Sequence, residues 1–105
     1  MTVQGIITEA VSIIRRHLSD DYTIYLYGSI AKGNAHPGSD IDIAILGVTR
    51  VPHSSMMKII SELDTIRTLR SIDLVDLNSK DESFKQEVLQ TGIEIEHAGN
   101  LQLIS

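Results

Sequence analysis

The chain has 105 residues, of which 42% are hydrophobic, so residues 1–105 are expected to form a single globular domain with one modest core. It contains no cysteine, which excludes disulfides and fits a reducing cytoplasm, and no apolar run approaches the ~18 residues of a membrane span. The net charge of −5 disfavours a general affinity for nucleic acid. We therefore expect a cytoplasmic protein that binds neither membranes nor nucleic acid.

A helix and a strand are predicted first along the chain. Apolar residues at helical spacing predict a helix from about Gln4 to Leu18, and Arg15-Arg16 near its end suit the helix dipole. Residues 22–27 are β-prone types, and their alternate side chains would face opposite sides of a sheet. This first strand is expected to end at Gly28, where a turn begins.

The turn after the first strand has the residue types that an anion-binding turn requires. Gly28 can place its backbone against a bulky anion without a Cβ clash, and the next residues can begin a helical turn whose free N–H groups point at that anion. Ser29 adds a hydroxyl, Lys32 adds a cation, and Gly33 flanks the turn on its other side. The segment therefore predicts a phosphate-binding site.

Two carboxylates lie in the second predicted strand, residues 40–46, which follows the turn Pro37-Gly38. Asp40 and Asp42 are two positions apart, so they share a face with Cα atoms about 7 Å from each other. Such charges repel unless a cation lies between them, and an oxygen-binding ion such as Mg²⁺ suits them best. Asp40 could instead be an ordinary first residue of a strand, but Asp42 interrupts an apolar run from which carboxylates are normally excluded.

The two halves together resemble a known signature. The pattern Gly-Ser-x-Ala-Lys-Gly-x5-Ser-Asp-x-Asp, from Gly28 to Asp42, resembles that of the DNA polymerase beta-like nucleotidyltransferases. It is most similar to the minimal nucleotidyltransferases, many of which are antitoxins paired with HEPN-type toxins. The combination of residues and spacing is specific, whereas either half alone would be weak support.

A second long helix and a third strand are predicted next. Apolar residues at helical spacing predict a helix from His53 to about Leu69, with Leu69 on its buried stripe. Residues 71–77 predict a strand in which Asp73 and Asp76 face opposite sides, so at most one of them can join the first two carboxylates. The resemblance favours Asp73, because the family has a third acid in an apolar-Asp-apolar setting. Asp76 is interpreted as an exposed residue at the strand end.

The last third of the chain is acidic. Ser79 or Asp81 is expected to cap a short helix, and residues 93–96 alternate as in a half-exposed edge strand. The apolar segment Leu101-Gln102-Leu103-Ile104 follows and would either pack back or belong to an interface with another protein. The acidic residues by themselves are most simply a solvated surface, whereas acidic charge and an apolar tail together suit docking to a basic, helical protein.

The resemblance implies an α/β fold of the nucleotidyltransferase type, with a mixed β-sheet flanked by helices. It implies an enzyme that moves AMP from ATP to a hydroxyl, with Asp40 and Asp42 holding one or two Mg²⁺ ions and Asp73 binding the second ion or accepting a proton. Ser29 and the turn N–H groups would hold the β,γ-phosphates.

The acceptor implied by the resemblance is a tyrosine of a HEPN-type toxin. Two alternatives remain open at the level of sequence. The chain could be a non-catalytic antitoxin that neutralises its partner by occlusion, or it could modify a small molecule such as an aminoglycoside. Because Gly28, Ser29 and all three chosen acids are present, a vestigial site is disfavoured.

Overall fold

The computed structural model of the chain describes residues 2–96. Helices and strands alternate along most of this range, and a single 3₁₀ turn, Leu77–Ser79, follows the third strand. Within the described range, no helix combines the length and apolar character needed to cross a bilayer. The elements in chain order are α1 (Val3–His17), β1 (Thr23–Tyr27), α2 (Gly28–Lys32), β2 (Ile41–Leu46), α3 (His53–Leu63), β3 (Ile72–Asp76), α4 (Glu82–Thr91) and β4 (Ile93–Glu96).

The four strands form one mixed sheet in the order β3-β2-β1-β4. β1 is antiparallel to both β2 and β4, whereas β2 and β3 are parallel. In this register Asp42 of β2 lies opposite Tyr27 on one side and Asp73 on the other. The predicted α/β class with a mixed sheet flanked by helices is confirmed, and so is the position of β4 at an edge.

Helices cover the two faces of the sheet unequally. α1 and α3 pack over one face, where Ile41, Ile43 and Ile45 of β2 are fully buried. On the other face α4 covers only part of the sheet, around Ala44 and Val88. Each fully buried isoleucine stabilises the fold by about 1.5–3 kcal/mol, so β2 is held firmly in the middle of the sheet. Its polar residue, Asp42, lies on the less completely covered face and is half-buried.

Helix α3 ends at Leu63, so the prediction that it continues to about Leu69 was wrong. Two hydrogen bonds of the tighter i to i+3 type follow it, from Thr65 N to the Glu62 oxygen (3.0 Å) and from Ile66 N to the Leu63 oxygen (3.1 Å). The Thr65 hydroxyl also donates to the Glu62 carbonyl at 2.6 Å and competes with the helical pattern. Ile66 remains buried, but Leu69 is fully exposed rather than part of a buried stripe.

Asp76 is buried, so its interpretation as an exposed end residue was also wrong. Its Oδ2 accepts a hydrogen bond from Val51 N at 2.7 Å, and its Oδ1 accepts one from Asn78 N at 3.0 Å. These bonds satisfy a carboxylate that would otherwise be costly to bury. On β3, Asp76 points to the same face of the sheet as Leu74, and Asp73 points to the opposite face. This arrangement was predicted from the three-residue separation of the two aspartates. The apolar segment of residues 101–104 lies outside the described residues.

Candidate active site

Three carboxylates converge where β2 and β3 begin. Asp40 lies directly before β2, Asp42 is the second residue of β2, and Asp73 lies opposite Asp42 in the parallel register with β3. One oxygen atom from each carboxylate lies within 4.8 Å of the others. The structure therefore brings together the three acids that were selected from the sequence as metal ligands and catalytic residues.

The charges of this acidic cluster, defined as Asp40, Asp42 and Asp73, oppose one another. Burial raises the pKa of Asp42, and the negative charges of Asp73 and Asp40 and a hydrogen bond with Asp73 raise it further. Within residues 2–96, no lysine or arginine forms an ion pair with any of the three. A divalent cation would relieve this repulsion, and three carboxylate oxygens are the donors that hard cations such as Mg²⁺ prefer. The acidic cluster can therefore hold a metal ion.

The turn at Gly28 lies directly against the acidic cluster. Gly28 has a φ of 77°, and a Cβ atom added there would overlap with Oδ2 of Asp42. α2 begins at this glycine, and its N-cap residue, Tyr27, makes no side-chain hydrogen bond to the first turn. The first N–H groups of α2 are thus not capped by that side chain, and an anion bound to them would lie close to the acids.

The other predicted nucleotide-binding residues lie on or just after α2. Ser29 is half-buried, and its hydroxyl makes no hydrogen bond within the described part of the chain. Lys32 forms an exposed ion pair with Glu87 of α4, with Nζ and Oε2 3.3 Å apart. Such surface pairs contribute about 0–1 kcal/mol, so Lys32 could exchange Glu87 for a bound anion at small cost. Gly33 ends the helix with a φ of 78°.

Tyr27 is a site residue that the sequence did not single out. Its ring contacts Phe84 of α4 edge to face, with centroids 5.8 Å apart. Burial raises the pKa of Tyr27 to about 12, and the charges of Asp42 and Asp73 contribute to the increase. The phenol therefore stays neutral beside the acidic cluster at physiological pH. Only the pairing of β1 with β2 reveals this proximity, and no local pattern could have predicted it.

A polar cavity of about 350 Å³ opens next to the acidic cluster. Asp73 lines it together with Thr68, Arg70 and Ser71 from the segment between α3 and β3. A larger groove of about 530 Å³ lies against α1, but its described lining includes none of the predicted site residues. The cavity beside Asp73 is therefore directly accessible to one carboxylate of the acidic cluster.

A convergent acidic cluster beside the uncapped start of a helix on a mixed sheet is an arrangement suited to phosphoryl or nucleotidyl transfer. The sequence profile of the family described as polymerase beta nucleotidyltransferase matches residues 11–98. Since this match spans most of the chain, the chain belongs to that family. The resemblance recognised between Gly28 and Asp42 is confirmed.

Individual proteins similar to this chain are also nucleotidyltransferases or antitoxins. The protein adenylyltransferase MntA of Shewanella oneidensis is 33% identical over 86 residues, which cover 78% of this chain and 58% of that protein. The chain thus spans little more than half the length of this relative. A crystal structure of a toxin–antitoxin with AMP-PNP matches with a TM-score of 0.72 and 27% identity, covering 91% of this chain and 74% of that one.

A more distant structure supports the fold alone. It is the complex of the tri-AMPylated Shewanella oneidensis HEPN toxin with the MNT antitoxin, which matches with a TM-score of 0.69 and 24% identity. The match covers 91% of this chain and 73% of that one. The nucleotidyltransferase type of sheet is therefore shared with solved antitoxin complexes.

Proposed function

We propose that this chain transfers AMP from ATP to a hydroxyl group of another protein. The hydroxyl oxygen would form a new bond to the α-phosphorus while the bond between the α-phosphorus and the bridging oxygen breaks, and pyrophosphate would leave with that oxygen. The observation that carries the proposal is the convergence of Asp40, Asp42 and Asp73 within 4.8 Å beside the start of α2. Charge of this density is suited to binding Mg²⁺ together with a triphosphate.

Each residue would have a defined task. Asp40, Asp42 and Asp73 would hold one or two Mg²⁺ ions, which neutralise the charge of the phosphates when bound. The N–H groups at the start of α2 and the hydroxyl of Ser29 would bind the β- and γ-phosphates. Asp73 lines the open cavity, so its carboxylate could also accept the proton of the attacking hydroxyl. Lys32 would leave Glu87 and turn towards the triphosphate.

The acceptor that the relatives favour is a protein. The relative MntA is named a protein adenylyltransferase, and the toxin–antitoxin structure with AMP-PNP is 27% identical to this chain. We infer that the acceptor is a tyrosine hydroxyl of a HEPN-type toxin and that this chain acts as its antitoxin. We also propose that ATP is the nucleotide donor and that the reaction takes place in the cytoplasm, where ATP is available.

Mass spectrometry of the paired toxin tests the proposal. The chain is incubated with ATP, Mg²⁺ and a candidate HEPN-type toxin, and we expect the toxin to gain an adenylyl group on a tyrosine. The Asp42→Asn variant, which keeps the shape of the side chain and removes its charge, is the matched control and should leave the toxin unmodified. A stable complex in which neither protein gains AMP would refute transfer and favour neutralisation by occlusion.

A further inference from the structure

Asp40 is the member of the acidic cluster that the sheet does not hold. It is exposed, lies one residue before β2, and belongs to none of the registered strand pairs. Asp42 and Asp73, by contrast, are paired residues of β2 and β3. Since all three carboxylates repel one another, Asp40 would move away from the other two unless contacts outside the sheet restrained it.

The contacts that restrain Asp40 are made by Ser39, the residue directly before it. Ser39 is buried, its Oγ accepts a hydrogen bond from His36 N at 2.9 Å, and its own N–H donates to the His36 carbonyl at 2.9 Å. Its carbonyl oxygen accepts a hydrogen bond from Nη1 of Arg70 at 2.8 Å. The Ser39 carbonyl and the Asp40 nitrogen belong to one planar peptide unit, so fixing the carbonyl also fixes the orientation of the backbone at Asp40.

Arg70 and its neighbour hold the chain on both sides of Asp40. The Arg70 guanidinium binds the carbonyl before Asp40, while the Ser71 carbonyl accepts a hydrogen bond from Ile41 N, after Asp40, at 2.8 Å. The same segment leads into β3 and therefore to Asp73, three residues after Arg70. The segment that positions one metal-binding acid thus also restrains another.

We propose that Arg70 is a positioning residue for the metal site, acting through the Ser39 carbonyl to keep Asp40 within reach of Asp42 and Asp73. The inference rests on the proposed function only in treating these acids as metal ligands. Arg70 itself would touch neither the metal nor the nucleotide. Groups that orient metal ligands typically account for 10–100-fold in metal affinity, which sets the size of the expected effect.

Titration of the nucleotide-free chain with Mn²⁺, followed by electron paramagnetic resonance, tests this role. Arg70→Met removes the hydrogen bond, and Arg67→Met is the matched control, because Arg67 is exposed and makes no hydrogen bond or ion pair within the described residues. Both variants lose one positive charge, and the loss of a positive charge does not by itself weaken cation binding. We expect Arg70→Met to weaken Mn²⁺ binding about tenfold and Arg67→Met not to weaken it.

A second readout separates positioning from general damage. In AMP transfer, Arg70→Met should need about tenfold more Mg²⁺ for half-maximal rate and should approach the wild-type rate when Mg²⁺ is saturating. Arg70→Lys keeps a shorter donor and should be intermediate, and it carries the test if Arg70→Met does not fold. Equal Mn²⁺ affinity in Arg70 and Arg67 variants overturns the proposal. If the wild type binds Mn²⁺ but transfers no AMP, the proposed function fails while the role of Arg70 is still measured.

Discussion

Replacing Gly28 with alanine tests the contact between the turn and the acidic cluster. The new Cβ atom meets two obstacles, a φ of 77° and the Oδ2 atom of Asp42. A left-handed conformation costs a non-glycine residue about 1–2 kcal/mol. Because β2 is held by strands on both sides, Asp42 must yield by rotating its side chain out of a rotamer minimum, which costs about 0.5–1.5 kcal/mol more.

Gly38→Ala is the matched control for the cost of placing alanine in a left-handed backbone conformation. Gly38 has a φ of 89°, but nothing lies within 4 Å of a Cβ atom built there. The two variants therefore share the backbone strain and differ in the overlap with Asp42. At about 4–8 °C per kcal/mol for a small domain, Gly28→Ala should melt about 2–12 °C below Gly38→Ala.

The displaced carboxylate should also lower activity. A shift of about 1 Å in a catalytic group can cost about a hundredfold in rate, or about 2.7 kcal/mol in the barrier. We expect that loss of AMP transfer in Gly28→Ala and near-normal transfer in Gly38→Ala, measured by the rate of AMP incorporation. Equal melting temperatures with full activity in both variants would show that Gly28 does not abut Asp42.

Three further predictions follow from the site and its surroundings. Asp42→Asn should lower the rate of AMP transfer at least about a hundredfold and should make the affinity for ATP independent of Mg²⁺. If calorimetry still finds that ATP binding to this variant depends strongly on Mg²⁺, the metal assignment is wrong. Asp73→Asn should abolish transfer without lowering the melting temperature, whereas Asp76→Ala should destabilise the fold by about 1–3 kcal/mol, since two backbone N–H donors lose their acceptor. The hydrogen bond from Arg16 lowers the pKa of Glu62. The wild type should therefore lose stability as the pH falls below 4.5, the ordinary pKa of a glutamate side chain. The melting temperature of Glu62→Gln should depend less on pH in that range. Identical acid-side melting profiles would contradict that last assignment.

The positions that form the acidic cluster are largely predictable from the sequence, because local patterns encode them. Asp42 stands out as a carboxylate inside an apolar strand, and Gly28 stands out at the end of another. The alternation of a strand shows that Asp73 and Asp76 face opposite sides, and the family resemblance alone favours Asp73. The choices of Asp42 and Gly28 thus depend on neighbouring residues in the sequence, whereas the choice of Asp73 also needs the family resemblance.

The remaining features depend on partners that are distant in the sequence. Lys32 meets Glu87, and Arg70 meets Ser39, through contacts that only the tertiary fold creates. The end of α3 is unpredictable for a different reason. The apolar periodicity continues through Ile66, but the Thr65 hydroxyl and two short-range hydrogen bonds end the helix before it.

The buried carboxylate of Asp76 has a consequence for the fidelity of folding. Among the described strands, β3 lies at the edge of the sheet with β2 as its neighbour, and a slip of one residue would turn Asp73 into the core and bring apolar side chains to the site. The bond from Val51 N to Asp76, which joins positions 25 residues apart, exists in one alignment only, so it acts as a latch on the opposite face. A misaligned chain would lack both the latch and the cation site, and a bound cation would therefore select the correctly aligned chain.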